Sequence, residues 1–154
     1  MKIKSLCFVC LGNICRSPMC QSIMTDLLKK NGISHVKVDS FGTSNENFGY
    51  GIYPDTKNIL YKKGVPIIPH MATQIKASDY KDFDLILGLD NNNVRNLVRL
   101  FGGDPENKVR LLMTFAGEDR AVADPWYSGD FETAFQDCMK GCLGVLNYLK
   151  EDSD

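Results

Sequence analysis

Long apolar runs are missing from this chain. None of its 154 residues belongs to a stretch approaching the ~20 apolar residues of a membrane span. The run that follows Lys4 holds about five apolar residues before Gly12, too short for a signal-peptide core, and no small-residue cleavage site follows. The expected location is therefore the cytoplasm. An excess of one charge is missing too. The formal net charge is −1, which argues against a nucleic-acid surface or a polybasic membrane patch. Histidine is scarce, with two residues. The four early cysteines, Cys7, Cys10, Cys15 and Cys20, are spaced by two, four and four residues, with no histidine near them. That is not a zinc-knuckle pattern, so no metal is expected. Between Gln21 and Asp137 there is no cysteine at all, which leaves no disulfide framework across the middle of the chain.

What is present is ordinary for a globular protein: 44% apolar and 24% charged residues. The length favours one domain over residues 1–154, large enough to bury about two thirds of its unfolded surface. No repeat, linker or low-complexity tract interrupts it. Strand and helix signals alternate. Ile3 to Val9 reads as a buried strand. Ser17 and Pro18 read as a helix cap and its first residue, and that helix closes at Asn31-Gly32 with Lys29 and Lys30 in its last turn. Val36 to Phe41 reads as a strand, residues 42–53 as a long surface loop, Pro54 to Lys63 as a helix closed by Gly64, and Val65 to Ile68 as extended chain. Phe83 to Leu89 is a further strand, followed by a helix capped by Asp90 and running to about Phe101. Val109 to Met113 is the last strand. Asp130 opens a long helix with Phe131, Phe135, Cys138, Cys142, Val145, Leu146 and Leu149 on one stripe. This alternation predicts an α/β fold: a parallel sheet covered by helices on both faces, with its site at the carboxyl ends of the strands.

The loop after the first strand, Cys10-Leu11-Gly12-Asn13-Ile14-Cys15-Arg16-Ser17-Pro18, joins a buried strand to a helix start. Its backbone N–H groups can curl into an anion nest, aided by the helix N-terminus. Gly12 and Asn13 tolerate a left-handed backbone. Arg16 can clamp two oxygens in a fork. Cys10, at the strand end, would place its sulfur at the base of the cradle, where N–H dipoles, Arg16 and the Ser17 hydroxyl favour a thiolate aimed at a bound phosphorus. A Walker loop would need Gly-Lys-Ser/Thr and a dinucleotide fingerprint three glycines; neither is present. A buried structural cysteine is the plainer alternative for Cys10.

Val9 to Pro18 resembles the phosphate-binding loop of the low molecular weight protein tyrosine phosphatases. Asp124-Pro125-Trp126-Tyr127 resembles that family's second signature, an Asp-Pro followed by two aromatics, and the likeness runs from about Ile3 to Leu149. The resemblance implies a three-layer α/β/α fold with a four-stranded parallel sheet and the phosphate-binding loop between strand 1 and helix 1. It implies hydrolysis of phosphotyrosine through a phosphocysteine on Cys10, with Arg16 binding phosphate and Asp124 as general acid and base. Leu11, Gly12, Asn13, Ile14, Cys15 and Ser17 complete the loop. Ser40, His70 and Asp90 resemble supporting residues. For Asp90 a helix cap is an equal reading, and an Asp-Pro dipeptide such as Asp124-Pro125 on its own is a common turn. The family pairs two loop cysteines in a protective disulfide, here Cys10 and Cys15. No cofactor is implied. The implied partners are tyrosine-phosphorylated proteins, with no nucleic acid or membrane and at most a weak homodimer.

The substrate wall departs from the family. Trp126 and Tyr127 form one side. On the other, the position that carries an aromatic in relatives is Glu46, with Phe48, Tyr50 or Tyr53 as replacement rings. Two alternatives share the fold and the loop. A thiol-linked arsenate reductase needs redox cysteines around the middle of the chain, where there are none. A phosphoarginine phosphatase carries threonine where this chain has Ile14. A binding module without turnover is a third reading, against which the joint presence of Cys10, Arg16 and Asp124 argues.

Overall fold

The computed structural model describes residues 2–152; positions 1, 153 and 154, at the ends of the expected domain, lie outside the described residues. Four strands, β1 (Ser5–Cys10), β2 (Lys37–Gly42), β3 (Leu85–Gly88) and β4 (Val109–Leu111), form one parallel sheet in the order β2-β1-β3-β4. The helices are α1 (Arg16–Lys30), α2 (Pro54–Lys62), α3 (Asn91–Phe101), α4 (Pro125–Ser128) and α5 (Phe131–Asp152). This is the expected α/β architecture.

The central strand is apolar on both sides because both sides are covered. Leu6, Phe8 and Cys10 of β1 face a core shared with α1 and α5, including Met19, Ile23, Cys138, Cys142 and Val145. Cys7 and Val9 face a second core with Leu97 of α3, Ile86 and Val109. The chain leaves β1 towards β2 on one side and β3 on the other. The loops after β1 and β3 therefore meet at the point where the strand order reverses, the usual ligand crevice of such sheets.

Several boundaries differ from the sequence reading. Helix α1 begins at Arg16 with Cys15 in the cap position and no side-chain cap. Ser17 is thus inside the helix rather than capping it, because its hydroxyl is held by the Cys10 sulfur and Asn13. The last strand stops at Leu111, where the chain tightens into a 3₁₀ turn over Leu112–Ala116, with the Thr114 hydroxyl donating to the Leu111 carbonyl at 2.6 Å. A second 3₁₀ turn, Ala77–Asp82, and the single-turn helix α4 are elements the sequence pattern did not reveal. Asp90 does cap α3, accepting from the Asn93 N–H at 2.8 Å. Asp130 opens α5 by accepting from the Thr133 N–H at 2.9 Å.

Candidate active site

Cys10 ends β1 and is 4% exposed. Its sulfur receives the Asn13 backbone N–H at 3.2 Å and lies 2.9 Å from the Ser17 hydroxyl. The direction of that second bond follows from Asn13. The side-chain oxygen of Asn13 must face the Thr73 N–H, a pure donor, at 3.0 Å. Its amide nitrogen then faces the Ser17 and Ser40 hydroxyls at 2.8 and 3.1 Å. Ser17 accepts there, so its own hydrogen is free for the sulfur. Two donors thus converge on the Cys10 sulfur.

The same reasoning fixes His70. Its Nε2 lies 2.7 Å from the Asn13 oxygen, so this nitrogen carries the hydrogen and donates. Burial holds the His70 pKa below its ordinary value, against the nearby Asp39 charge, which suits a neutral ring. The Ser40 hydroxyl donates to the side-chain amide oxygen of Gln21, Oε1, at 2.6 Å. Asn13 is left-handed, with φ 57°, while Gly12 has no positive φ. Asparagine alone supplies the curl, and it keeps the side chain that glycine would lack. Gly42, at the end of β2, permits the close approach of the loop: a Cβ there would stand 2.7 Å from the Leu11 carbonyl.

No side chain caps the start of α1, so the N–H groups of Arg16 and Ser17 remain for an anion, and Pro18 brings none. The Arg16 side chain is buried. It donates to the Val122 carbonyl at 3.0 Å and to Asp90 at 2.9 Å, and stands 3.5 Å from Asp124. Burial opposes its charge, but Cys10, Asp124 and Asp90 outweigh burial and raise its pKa. Asp90 therefore both caps α3 and holds Arg16, one oxygen for each. Asp124 caps α4 through the Trp126 N–H at 3.1 Å. None of the six cysteines is in a disulfide. Burial, and then the neighbouring Cys10 charge, push the Cys15 thiol up to about 12, so Cys15 is a thiol and not a thiolate at neutral pH.

Above the sulfur opens a cleft of about 490 Å³ lined by residues 10–16 with Glu46, Asn47, Tyr50, Asp124, Trp126 and Tyr127. Tyr50 supplies the ring on the Glu46 side. Phe48, expected there, is not among the lining residues and is 70% exposed, because the turn around Gly49 directs it outward. Tyr53 packs behind Trp126, edge to face at 5.5 Å, and stacks on Phe131. The acid-bearing segment has its own anchor, which sequence reading missed: Arg120 grips Asp137 of α5 through two bonds of 3.0 and 2.9 Å, and Asp137 accepts the Ala123 N–H at 2.9 Å. Gln21 was missed as well. Both Asp137 and Gln21 are polar residues on otherwise buried helix faces, which was the available signal. Among the described residues no group of three His, Cys, Asp or Glu is placed to hold a metal ion, and no helix is long and apolar enough to cross a membrane. Chemically, the arrangement can hold a tetrahedral oxyanion over a nucleophilic sulfur, with a carboxyl group at the rim.

The family model described as low molecular weight phosphotyrosine protein phosphatase matches residues 5–154. A Staphylococcus epidermidis protein named low molecular weight protein-tyrosine-phosphatase PtpA is 35% identical over 147 residues, 96% of this chain and 94% of its own. The crystal structure of YfkJ from Bacillus subtilis is similar with a TM-score of 0.94 at 32% identity, covering 100% of this chain and 99% of that one. Drosophila arginine phosphatase is similar with a TM-score of 0.87 at 31% identity, covering 96% and 98%.

Proposed function

Because the chain belongs to the low molecular weight phosphotyrosine protein phosphatase family, we propose that it hydrolyses phosphotyrosine in protein substrates through a phosphocysteine on Cys10. The observation that carries this reading is the sulfur at the loop base, with two donors aimed at it and Arg16 set between Asp90 and Asp124. In the first step the phosphoryl oxygens bind the loop N–H groups and the Arg16 fork. The Cys10 thiolate forms an S–P bond as the P–O bond to the phenol breaks. Asp124 passes a proton to the departing oxygen, which would otherwise leave as a phenolate whose conjugate acid has a pKa near ~10. In the second step the Asp124 carboxylate takes a proton from a water that attacks phosphorus, the S–P bond breaks, and inorganic phosphate leaves with the thiolate restored. Asn13, Ser17, Ser40 and His70 act as positioning residues for that sulfur. The reading takes residues 1–154 as one domain working in the cytoplasm.

Tyr50, Trp126 and Tyr127 at the cleft suit an aromatic ring, and a short seryl phosphate would not span the wall to the sulfur. Phosphoarginine is the second reading, since a similar structure is named an arginine phosphatase. The apolar Ile14 in the lining favours the phenyl ring over a guanidinium. Hydrolysis of p-nitrophenyl phosphate tests the proposal. Cys10→Ser is expected to abolish it, and Asp124→Asn to lower kcat by about 10²–10⁴. A turning-over Cys10→Ser enzyme would overturn the mechanism. Equal kcat/KM for phosphoarginine and phenyl phosphate would overturn the substrate assignment.

A further inference from the structure

A second depression, about 360 Å³, lies beside the cleft and is lined by Leu11, Thr43, Gln74, Asn96, Arg99 and Leu100. Leu11 lines both hollows and is 49% exposed, so one side chain of the phosphate-binding loop forms the ridge between them. The floor is tied to that loop: the Thr43 N–H donates to the Cys10 carbonyl at 2.9 Å and the Ser44 N–H to the Leu11 carbonyl at 3.1 Å.

The side chains on the two rims, Arg99 and Glu46, carry opposite charges. Arg99 is exposed and bonds the Asn96 side chain of its own helix at 3.3 Å; among the described residues it has no carboxylate partner. Helix α3 carries Arg95 and Arg99 and no acidic residue. Across the cleft stands Glu46, exposed and also without an ion-pair partner among the described residues. Leu11 and Leu100 supply apolar contact for an aliphatic stem, and Arg99 a cation at its end.

We propose that this depression is a substrate subsite for an acidic side chain on one flank of the phosphotyrosine, so that the chain prefers peptides acidic on the Arg99 side and basic on the Glu46 side. The inference rests on the phosphatase reading and deepens it. A peptide seated with its phosphate on the loop must leave the cleft over its rim. Over Leu11 it meets the Arg99 cation, and over Glu46 it meets an anion.

The test uses two pairs of tyrosine-phosphorylated peptides, carrying glutamate or lysine on the N-terminal side in one pair and on the C-terminal side in the other. p-Nitrophenyl phosphate serves as the flankless control. One pair is expected to favour glutamate by about three-fold in kcat/KM at low salt, the size of one exposed ion pair, and to lose this preference in about 0.5 M NaCl. The other pair is expected to favour lysine. Arg99→Gln should erase the glutamate preference and Arg99→Glu reverse it, with hydrolysis of the control unchanged. Glu46→Gln should erase the lysine preference. A glutamate preference that is absent, present on both flanks, or unaltered by Arg99→Glu overturns the subsite while the control reaction still proceeds. Failure of the wild-type protein on the control reaction instead removes the phosphatase reading, and the subsite with it.

Discussion

Asn13 does two jobs. Its backbone takes the left-handed turn of the loop, which costs an ordinary residue about 1–2 kcal/mol. Its side chain sets the direction of the Ser17 hydrogen towards the sulfur. The two jobs separate by substitution. Asn13→Gly keeps the turn and Asn13→Ala strains it, while both lose the amide. Both variants are expected to lower kcat for p-nitrophenyl phosphate by about ten-fold or more, the worth of one hydrogen bond to a charged group, with KM changed much less. The alanine variant should be less stable than the glycine variant by about 1 kcal/mol, seen as a lower Tm. Equal melting of the two would show that the turn carries no strain.

Helix α5 shows why an element can be legible from its pattern and still hide its tightest contact. Its apolar stripe was readable, and Cys138, Cys142, Val145, Leu146 and Leu149 are all buried. Gly141 and Gly144 were not explained, and glycine inside a helix costs about 1 kcal/mol against alanine. The reason is the 3₁₀ turn Leu112–Ala116, which crosses the helix so closely that a Cβ on Gly144 would lie 2.2 Å from the Phe115 carbonyl oxygen. Gly144→Ala is therefore expected to destabilise the protein by about 3 kcal/mol and to lower Tm by roughly 6–12 °C, measured by thermal melting. Correctly folded protein should retain its kcat. The same division applies to the site. Cys10, Arg16 and Asp124 stood in two local signatures. The strand alternation placed the site at the carboxyl ends of the strands, and it is the observed order β2-β1-β3-β4 that brings Asp90, after β3, beside the phosphate-binding loop, after β1. Gln21, Thr73 and the Arg120–Asp137 pair act through partners distant in sequence or through backbone atoms; the polar Gln21 and Asp137 on buried helix faces hint at a role, but nothing local names their partners. The outward turn of Phe48 and the inward place of Tyr50 depend on the backbone around Gly49, whose φ is 83°, which residue spacing alone did not reveal.

At the scale of the molecule, His70 couples the site network to stability. Its folded pKa is held down by burial, with Asp39 pulling the other way, so folding favours the neutral ring. The stabilisation is complete above the unfolded value of about 6.5. It is lost as pH falls from there through the folded value, because the unfolded chain then binds the proton more readily. The Tm advantage of the wild type over His70→Gln, whose amide can still donate to Asn13, is expected to shrink between pH 7 and pH 5. A constant difference across that range would mean that the ring does not report on folding.

Arg16 lies inside the protein between two carboxylates and a carbonyl, so its charge is largely balanced by the fold itself. A halide or nitrate ion brings one charge and no tetrahedral array of oxygens, too little to compete with that pair for the guanidinium. A phosphate ester brings two charges and several oxygens matched to the amide ring. Background electrolyte should therefore leave the cradle undisturbed, and discrimination between salt and signal is set by how well the arginine is already accompanied.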